Sequence, residues 1–380
     1  MTVFSGKSVA LSWHIVVHDR RRLLLWLCGI AFSVLIMFME LGFYNGLNDS
    51  QAVLPTLLRA DLVVLDHERT NLLKNDRFNQ LRLGMAQAAP EVAEVIPFYE
   101  GFTTLRNPQS RQIRKIYVLA FPPGSQALKV PGLAALEPLL LAPSTVVYDS
   151  RSRYIFGRVD SGMVVELETG LRHQVVGTVA LGPNFGFDGY LLMSGGTWKA
   201  LGNSDNVSLG LIRLRPGSSV ADVQRRLRAQ LPPDVVLLTP AQLWRREVEF
   251  TTRATPSGVI FGTGLAIGLV IGVVICYQIL FQAIWQNLPQ YATLKAMGFT
   301  NRHLVWVVMQ QALILSALGF LPGLAAGGLL YALIELRTSI IMDLTLGRAS
   351  LIFSLTVLMC CLAGLLAVGK ATRAAPADLY

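Results

Sequence analysis

The residues with most chemistry to offer are the five histidines, the four cysteines and a short Ser5-Gly6-Lys7-Ser8 run. That run is similar to the end of a phosphate-binding loop. Such a loop requires a glycine five residues before Gly6, where Met1 stands. Any ATP used is therefore expected to be hydrolysed by another chain. His14 and His18 have the i, i+4 spacing of a metal pair, yet no third ligand stands near them. They precede Arg20–Arg22 and read as interfacial polar residues, so no metal is expected. Cys28, Cys276, Cys360 and Cys361 all fall in apolar runs and read as small buried side chains. No nucleophile elbow or zinc-protease motif occurs. The chain is not expected to be a stand-alone enzyme, and no catalytic residue or bound cofactor is assigned to it.

The elements that would position these residues are membrane helices. Of the 380 residues, 52% are hydrophobic and 15% charged, against about 25% charge in a soluble domain. Residues 46–256 hold 23 of the 33 basic and 19 of the 24 acidic residues. Outside that insert, four apolar runs approach or exceed the ~20 residues needed to cross a bilayer. They give transmembrane helices at 23–45, 257–286, 304–334 and 349–368, with Pro322 a kink site in the long third one. The first run is too long for a signal-peptide core and reads as a retained anchor. Short flanks set the orientation: Lys7, Arg20, Arg21 and Arg22 lie before the first span. Lys295 and Arg302 lie in the 287–303 loop, and Lys370 and Arg373 in the 369–380 tail. Positive flanks stay inside, so segment 1–22 and the tail are expected in the cytoplasm. The 335–348 loop and the 46–256 domain are expected outside. This also accounts for the net charge of +9 without nucleic acid.

The insert reads as α/β and, lacking cysteine, as disulfide-free. Strands are expected at 60–65, 92–99, 113–120, 209–214 and 235–238. Helices are expected at 76–88, where Phe78, Leu81, Met85 and Ala89 share one face, and at 219–231. Short strands with turns fill 146–179, and 182–189 is a glycine-rich loop. The order implies a split α/β unit interrupted by a β-rich insertion. Thr239-Pro240-Ala241-Gln242 forms a helix start with a capping box. The helix that follows, with an extension of the first span through 42–58, would make a helical stalk.

Within the spans, Gly264, Gly268 and Gly272 recur at i, i+4, i+8, as do Gly319, Gly323 and Gly327. Such triplets let backbones approach closely, for packing within the chain, a dimer contact or a moving interface. Gln278, Gln282 and Gln286 form a polar stripe expected to bond a neighbouring helix, with a polar pore as the alternative. Glu40 is expected to reach the outer surface. The loop between the second and third spans holds Gln290, Tyr291, Thr293, Leu294, Lys295, Ala296, Met297 and Gly298. Tyr291, Leu294 and Lys295 share a face, which suggests a short interfacial helix stopped by Gly298.

That loop, read as Tyr291-Ala292-Thr293-Leu294-Lys295-Ala296-Met297-Gly298, resembles the signature of FtsX/MacB-like ABC transporter permeases. Pro289-Gln290-Tyr291 replaces the family's usual Arg-Glu. The tail from Arg373 through Pro376 to Leu379 resembles the family's ending, and the order of one span, a large domain and three spans agrees. Residues 30–43 followed by Ala60-Asp61-Leu62-Val63-Val64 are similar to the DevC branch of exporter permeases. The resemblance implies a MacB-periplasmic-like outer domain and a homodimer in the inner membrane. It implies a partner ABC ATPase carrying ATP and Mg, a periplasmic adaptor of the DevB/HlyD type, and through it an outer-membrane channel. It also implies mechanotransmission, in which ATP-driven closure moves the outer domain and exports lipid-like or other amphiphilic cargo. Residues Gln290–Gly298 would be the ATPase-coupling loop. A lipoprotein-releasing permease, an FtsX-like regulator of a cell-wall hydrolase and a membrane enzyme with its site in the insert are the alternatives.

Overall fold

A computed structural model describes residues 20–286 apart from 52, 169, 185 and 255, together with 301–338 and 342–373. The chain divides into two compact units, one of residues 1–45, 257–334 and 342–380, the other of 46–256 and 335–341.

In the first unit, helices α1 (Arg20–Gln51), α8 (Pro256–Gln286), α9 (Asn301–Thr338) and α10 (Leu346–Arg373) each hold a stretch long and apolar enough to cross a membrane. Mean hydropathy over these stretches is 2.0 to 2.6. The helices outrun the sequence boundaries at several points. α1 begins at Arg20, α9 runs on to Thr338 and α10 starts at Leu346, while the continuation of α1 to Gln51 falls within the extension expected through 42–58. An apolarity criterion cannot see these ends, because a helix hydrogen-bonds internally whether its flanks are polar or not.

The second unit is an α/β domain. Strands β1 (Leu62–Asp66), β2 (Val92–Arg106), β8 (Leu209–Leu214) and β9 (Val235–Leu238) pair in the order β9-β1-β8-β2, all antiparallel. Helix α3 (Leu81–Gln87) lies between β1 and β2 in sequence, and α6 (Val220–Gln230) between β8 and β9. This is the expected split α/β unit. The insertion consists of β3 (Ile113–Phe121), helix α4 (Leu133–Leu136), β4 (Thr145–Asp149), β5 (Val164–Leu167), β6 (Leu171–Val179) and β7 (Tyr190–Ser194), followed by α5 (Gly195–Ala200). Pairings β2–β3, β3–β7, β7–β4, β4–β6, β6–β5 and β5–β2 close these strands into a six-stranded ring. β2 belongs to both halves: Val92–Phe98 pairs with β8, and Tyr99–Arg106 pairs with β3. The insertion therefore starts inside β2, where its pairing passes from β8 to β3.

Strand alternation fills both faces. Leu62, Val64, Ile116, Val118, Tyr148 and Leu191 enter one core, where Leu83 of α3 and Leu227 of α6 cover them. Val63, Leu65, Tyr117, Leu119, Val147 and Leu192 enter the other. Leu54 of α2 (Val53–Leu57) and Leu243 of α7 (Pro240–Ala254) cover this second core. Helix α3 is shorter than the 76–88 pattern implied. Phe78 forms a bridge to Val207 instead, and Asn79 Oδ1 accepts the Leu81 amide at 2.9 Å. Leu81 and Met85 are exposed, while Leu83 and Ala86 are buried. At α7 the capping box forms as a reciprocal pair. The Gln242 amide donates to Thr239 Oγ1 at 3.2 Å, and the Thr239 amide to Gln242 Oε1 at 2.9 Å.

Candidate coupling site

In the membrane unit, both glycine triplets face α1. A Cβ at Gly319 would lie 2.5 Å from Ile30, one at Gly323 2.6 Å from Val34, and one at Gly327 3.2 Å from Phe38. On α8, Gly264 faces the Glu40 carboxylate, Gly268 lies against Ile36 and Met37, and Gly272 against Ser33 and Met359. Helix α1 thus packs on glycine ridges of both α8 and α9. The Tyr331 hydroxyl donates to the Phe38 carbonyl, and the Phe43 and Phe261 rings stack at 5.7 Å. Cys276 of α8 and Cys360 of α10 are buried with their Sγ atoms 3.5 Å apart. The Glu40 carboxylate lies against Gly264 of α8. Gln278, Gln282 and Gln286 are exposed, so among the described residues no neighbouring helix covers the stripe. Gln290, Tyr291, Thr293, Leu294, Lys295, Ala296, Met297 and Gly298 lie outside the described residues, as do His14 and His18. Among the described residues no group of three or more His, Cys, Asp or Glu is placed to hold a metal.

In the α/β domain, helix α7 is joined to the segment between β1 and α3 by a buried polar cluster. Arg69, Glu100 and Ser208 are each 1% exposed and Glu247 4%. Arg69 forms an ion pair with Glu100 and donates to the carbonyls of Asn71 at 3.2 Å, Ser208 at 2.8 Å and Leu72 at 2.5 Å. Five donors in a rigid fork suit a guanidinium to this role. Both Glu247 oxygens accept the Leu72 amide at 3.1 Å, and Arg246 donates to the Arg69 carbonyl. The Tyr117 hydroxyl donates to the Leu72 carbonyl at 3.4 Å, and burial with the nearby Glu100 charge holds its pKa well above the usual phenol value. Burial pushes Glu247 up to about 7, with Glu100 adding to the rise; the Leu72 amide, Arg69 and Arg246 oppose it. Leu54, Leu72, Leu73, Tyr117, Asn184, Phe187 and Tyr190 line a small pocket with Glu247. Sequence reading passed over these residues. The signal available was a glutamate interrupting the buried face of α7, two turns after its capping box.

Residues 262–376 match the family model FtsX-like permease C-terminal. This stretch is similar to the C-terminal domain of FtsX-like permeases. The domain takes in most of α8, all of α9 and α10, both glycine triplets, the glutamine stripe and the 287–300 segment. No curated protein matches the sequence. Three solved structures are similar to about half of it. The extracellular domain of the noncanonic ABC-type transporter YknZ from Gram-positive bacteria is 11% identical, with a TM-score of 0.35, over 47% of this chain and 99% of that one. The periplasmic region of MacB from Actinobacillus actinomycetemcomitans is 10% identical, with a TM-score of 0.37, over 50% and 92%. A domain of a permease protein from Porphyromonas gingivalis is 15% identical, with a TM-score of 0.33, over 48% and 90%.

Proposed function

We propose that the chain is the permease subunit of an ABC-type tripartite export system in the inner membrane. ATP and Mg are bound by a separate ATPase subunit, and export of lipid-like or other amphiphilic cargo follows from movement of the outer domain. The FtsX-like match over residues 262–376 carries this reading. The absence of a phosphate loop in the sequence fits an ATPase on another chain. Helix α7 ends at Ala254 and α8 begins at Pro256, so movement of the second span has a short covalent path into the domain. In this reading both termini are cytoplasmic, and two copies of the chain meet one ATPase dimer. An adaptor of the DevB/HlyD type links the domain to an outer-membrane channel.

Closure of the ATPase is received at Gln290–Gly298, a loop tied to spans at both ends. Leu294, Ala296 and Met297 fill a groove on the ATPase and Lys295 adds an acidic contact. Truncating a packed anchor can cost about 2 kcal/mol or more, whereas an exposed charge contact is worth about 1 kcal/mol or less. The test is co-purification of the tagged chain, with its partners identified. An ATPase and an adaptor are expected, and Leu294→Asp should lose the ATPase where Lys295→Ala retains it. Recovery of a cell-wall hydrolase or a lipoprotein carrier in place of an adaptor would overturn the exporter reading. Normal ATPase capture by Leu294→Asp would remove the loop from its role.

A further inference from the structure

We propose that Glu247 is the positioning residue through which α7 grips the outer domain, and that seating α7 takes up a proton on this side chain. The inference rests on the mechanotransmission reading above, since it names the contact through which α7 would pull.

The geometry is a clamp on the segment between β1 and α3. From inside the domain, Arg69 holds the carbonyls of Asn71 and Leu72. From α7, Glu247 holds the Leu72 amide and Arg246 the Arg69 carbonyl. Consecutive residues of one helix thus grasp both ends of the same short segment. Arg69 in turn ties that segment to β2 through Glu100 and to the start of β8 through the Ser208 carbonyl. Movement of α7 along its axis must break these bonds or carry β2 and β8 with it.

Charge explains the proton. The cluster contains one fully buried cation, Arg69, already paired with Glu100, and Glu100 Oε2 is buried without a hydrogen-bond partner. An ionised Glu247 adds a second buried carboxylate that the Arg69 charge does not balance. The nearest other cations, Arg246 and, beside Glu100, Arg77, are only half-buried, and a buried unbalanced charge is costly. A protonated Glu247 keeps an acceptor for the Leu72 amide and removes the repulsion. The groups facing it are Glu100 from β2 and Arg69, with Arg246 from its own helix. Tyr117 of β3 and Tyr190 of β7 line the same pocket. Helix α2 and strand β9, which also pack on α7, carry no titratable residue, and Asp66 closes the far end of β1. Burial raises the Glu247 pKa from 4.5 to about 7. The sign follows: a raised folded pKa means grip that is complete below the unfolded value and weakens as pH rises through the folded one. Acidification seats α7, and alkalinisation loosens it.

The test is hydrogen–deuterium exchange on the full chain in detergent micelles, without any partner, reading amides 69–74 after correction for intrinsic exchange. The opening constant of this segment should rise about tenfold between pH 6 and pH 8. Glu247→Gln, which keeps the shape and the acceptor, should remove that rise. Glu100→Gln, which removes the repelling neighbour, should move the midpoint of the rise to lower pH. A flat wild-type profile, an unchanged profile in Glu247→Gln, or no shift in Glu100→Gln overturns the proposal. Because no ATPase is present, these outcomes stand apart from failure of the exporter reading. If the exchange profile is as expected, ATPase stimulation by the wild-type and Glu247→Gln chains then tests that reading separately.

Discussion

Arg69 shows how much of the α/β domain depends on single buried charges. Its guanidinium meets a carboxylate and three carbonyls while only 1% exposed. Removing one member of a buried pair leaves the other unpaired in low dielectric, which costs about 3–5 kcal/mol. Arg69→Ala should therefore lower the melting temperature of the purified chain sharply, and Arg69→Met with Glu100→Gln should recover part of the loss. Equal melting of Arg69→Ala and the wild type would show that water reaches Glu100. His173 behaves in the opposite sense to Glu247. It is 4% exposed in β6, Nδ1 has no partner, and burial lowers its pKa despite a backbone bond at Leu171. A lowered folded pKa gives stability that is present above the unfolded value and lost as pH falls. Below about pH 6.5 the wild type should thus lose more melting temperature than His173→Gln. Matching acid-side curves would show that His173 titrates in the folded domain without penalty.

Among the elements, those with a local signature could be read from sequence, and those defined by distant partners could not. β1, β8 and β9 are short runs of aliphatic residues with turn residues around them. Ser219 caps α6 and Thr239 with Gln242 caps α7, each within three residues. The four long apolar helices announce themselves by composition alone. By contrast, β2 continues past Tyr99 through Glu100-Gly101, which reads as the end of a strand. Its continuation is fixed by pairing with β3 and β5, and Glu100 is fixed by Arg69, 31 residues away. No periodicity encodes such a pairing. The α3 pattern misled because Leu81 and Met85 repeat at helical spacing on a face the domain leaves exposed. The glycine triplets gave spacing but not their partner. A Cβ at Gly323 would meet Val34 at 2.6 Å and the Ala31 carbonyl at 3.1 Å, and the carbonyl, being backbone, cannot turn aside. Overpacking of this kind costs about 1–3 kcal/mol or more. Gly323→Val should destabilise the chain in detergent, whereas Gly262→Val, where a Cβ meets nothing within 4 Å, should not. Equal thermal stability of the two variants would mean that α1 and α9 do not pack through this ridge.

For the whole molecule, the glutamine stripe on α8 bears on how copies meet. Gln278, Gln282 and Gln286 are exposed on a helix that packs on α1 and α10 along part of its surface and also exposes Ile267, Val270 and Val274. Gln278 stands two residues, about 200° of helix, past Cys276, which touches Cys360 of α10. Hydrocarbon supplies no hydrogen-bond partner, so an amide facing lipid is left unsatisfied. A carboxamide carries both a donor and an acceptor, and a two-fold axis brings the same patch of each copy against itself. Two α8 helices crossing at this stripe would satisfy each other, whereas the aliphatic faces elsewhere are satisfied by lipid. In a cysteine-free chain, Gln278→Cys and Gln282→Cys should therefore form disulfide-linked dimers in native membranes under mild oxidation. Leu362→Cys, on an exposed aliphatic face of α10, should remain monomeric on the same gel. Dimers at Leu362 with none at Gln278 or Gln282 would place the seam on α10, and the stripe would then need a partner other than a second copy of the chain.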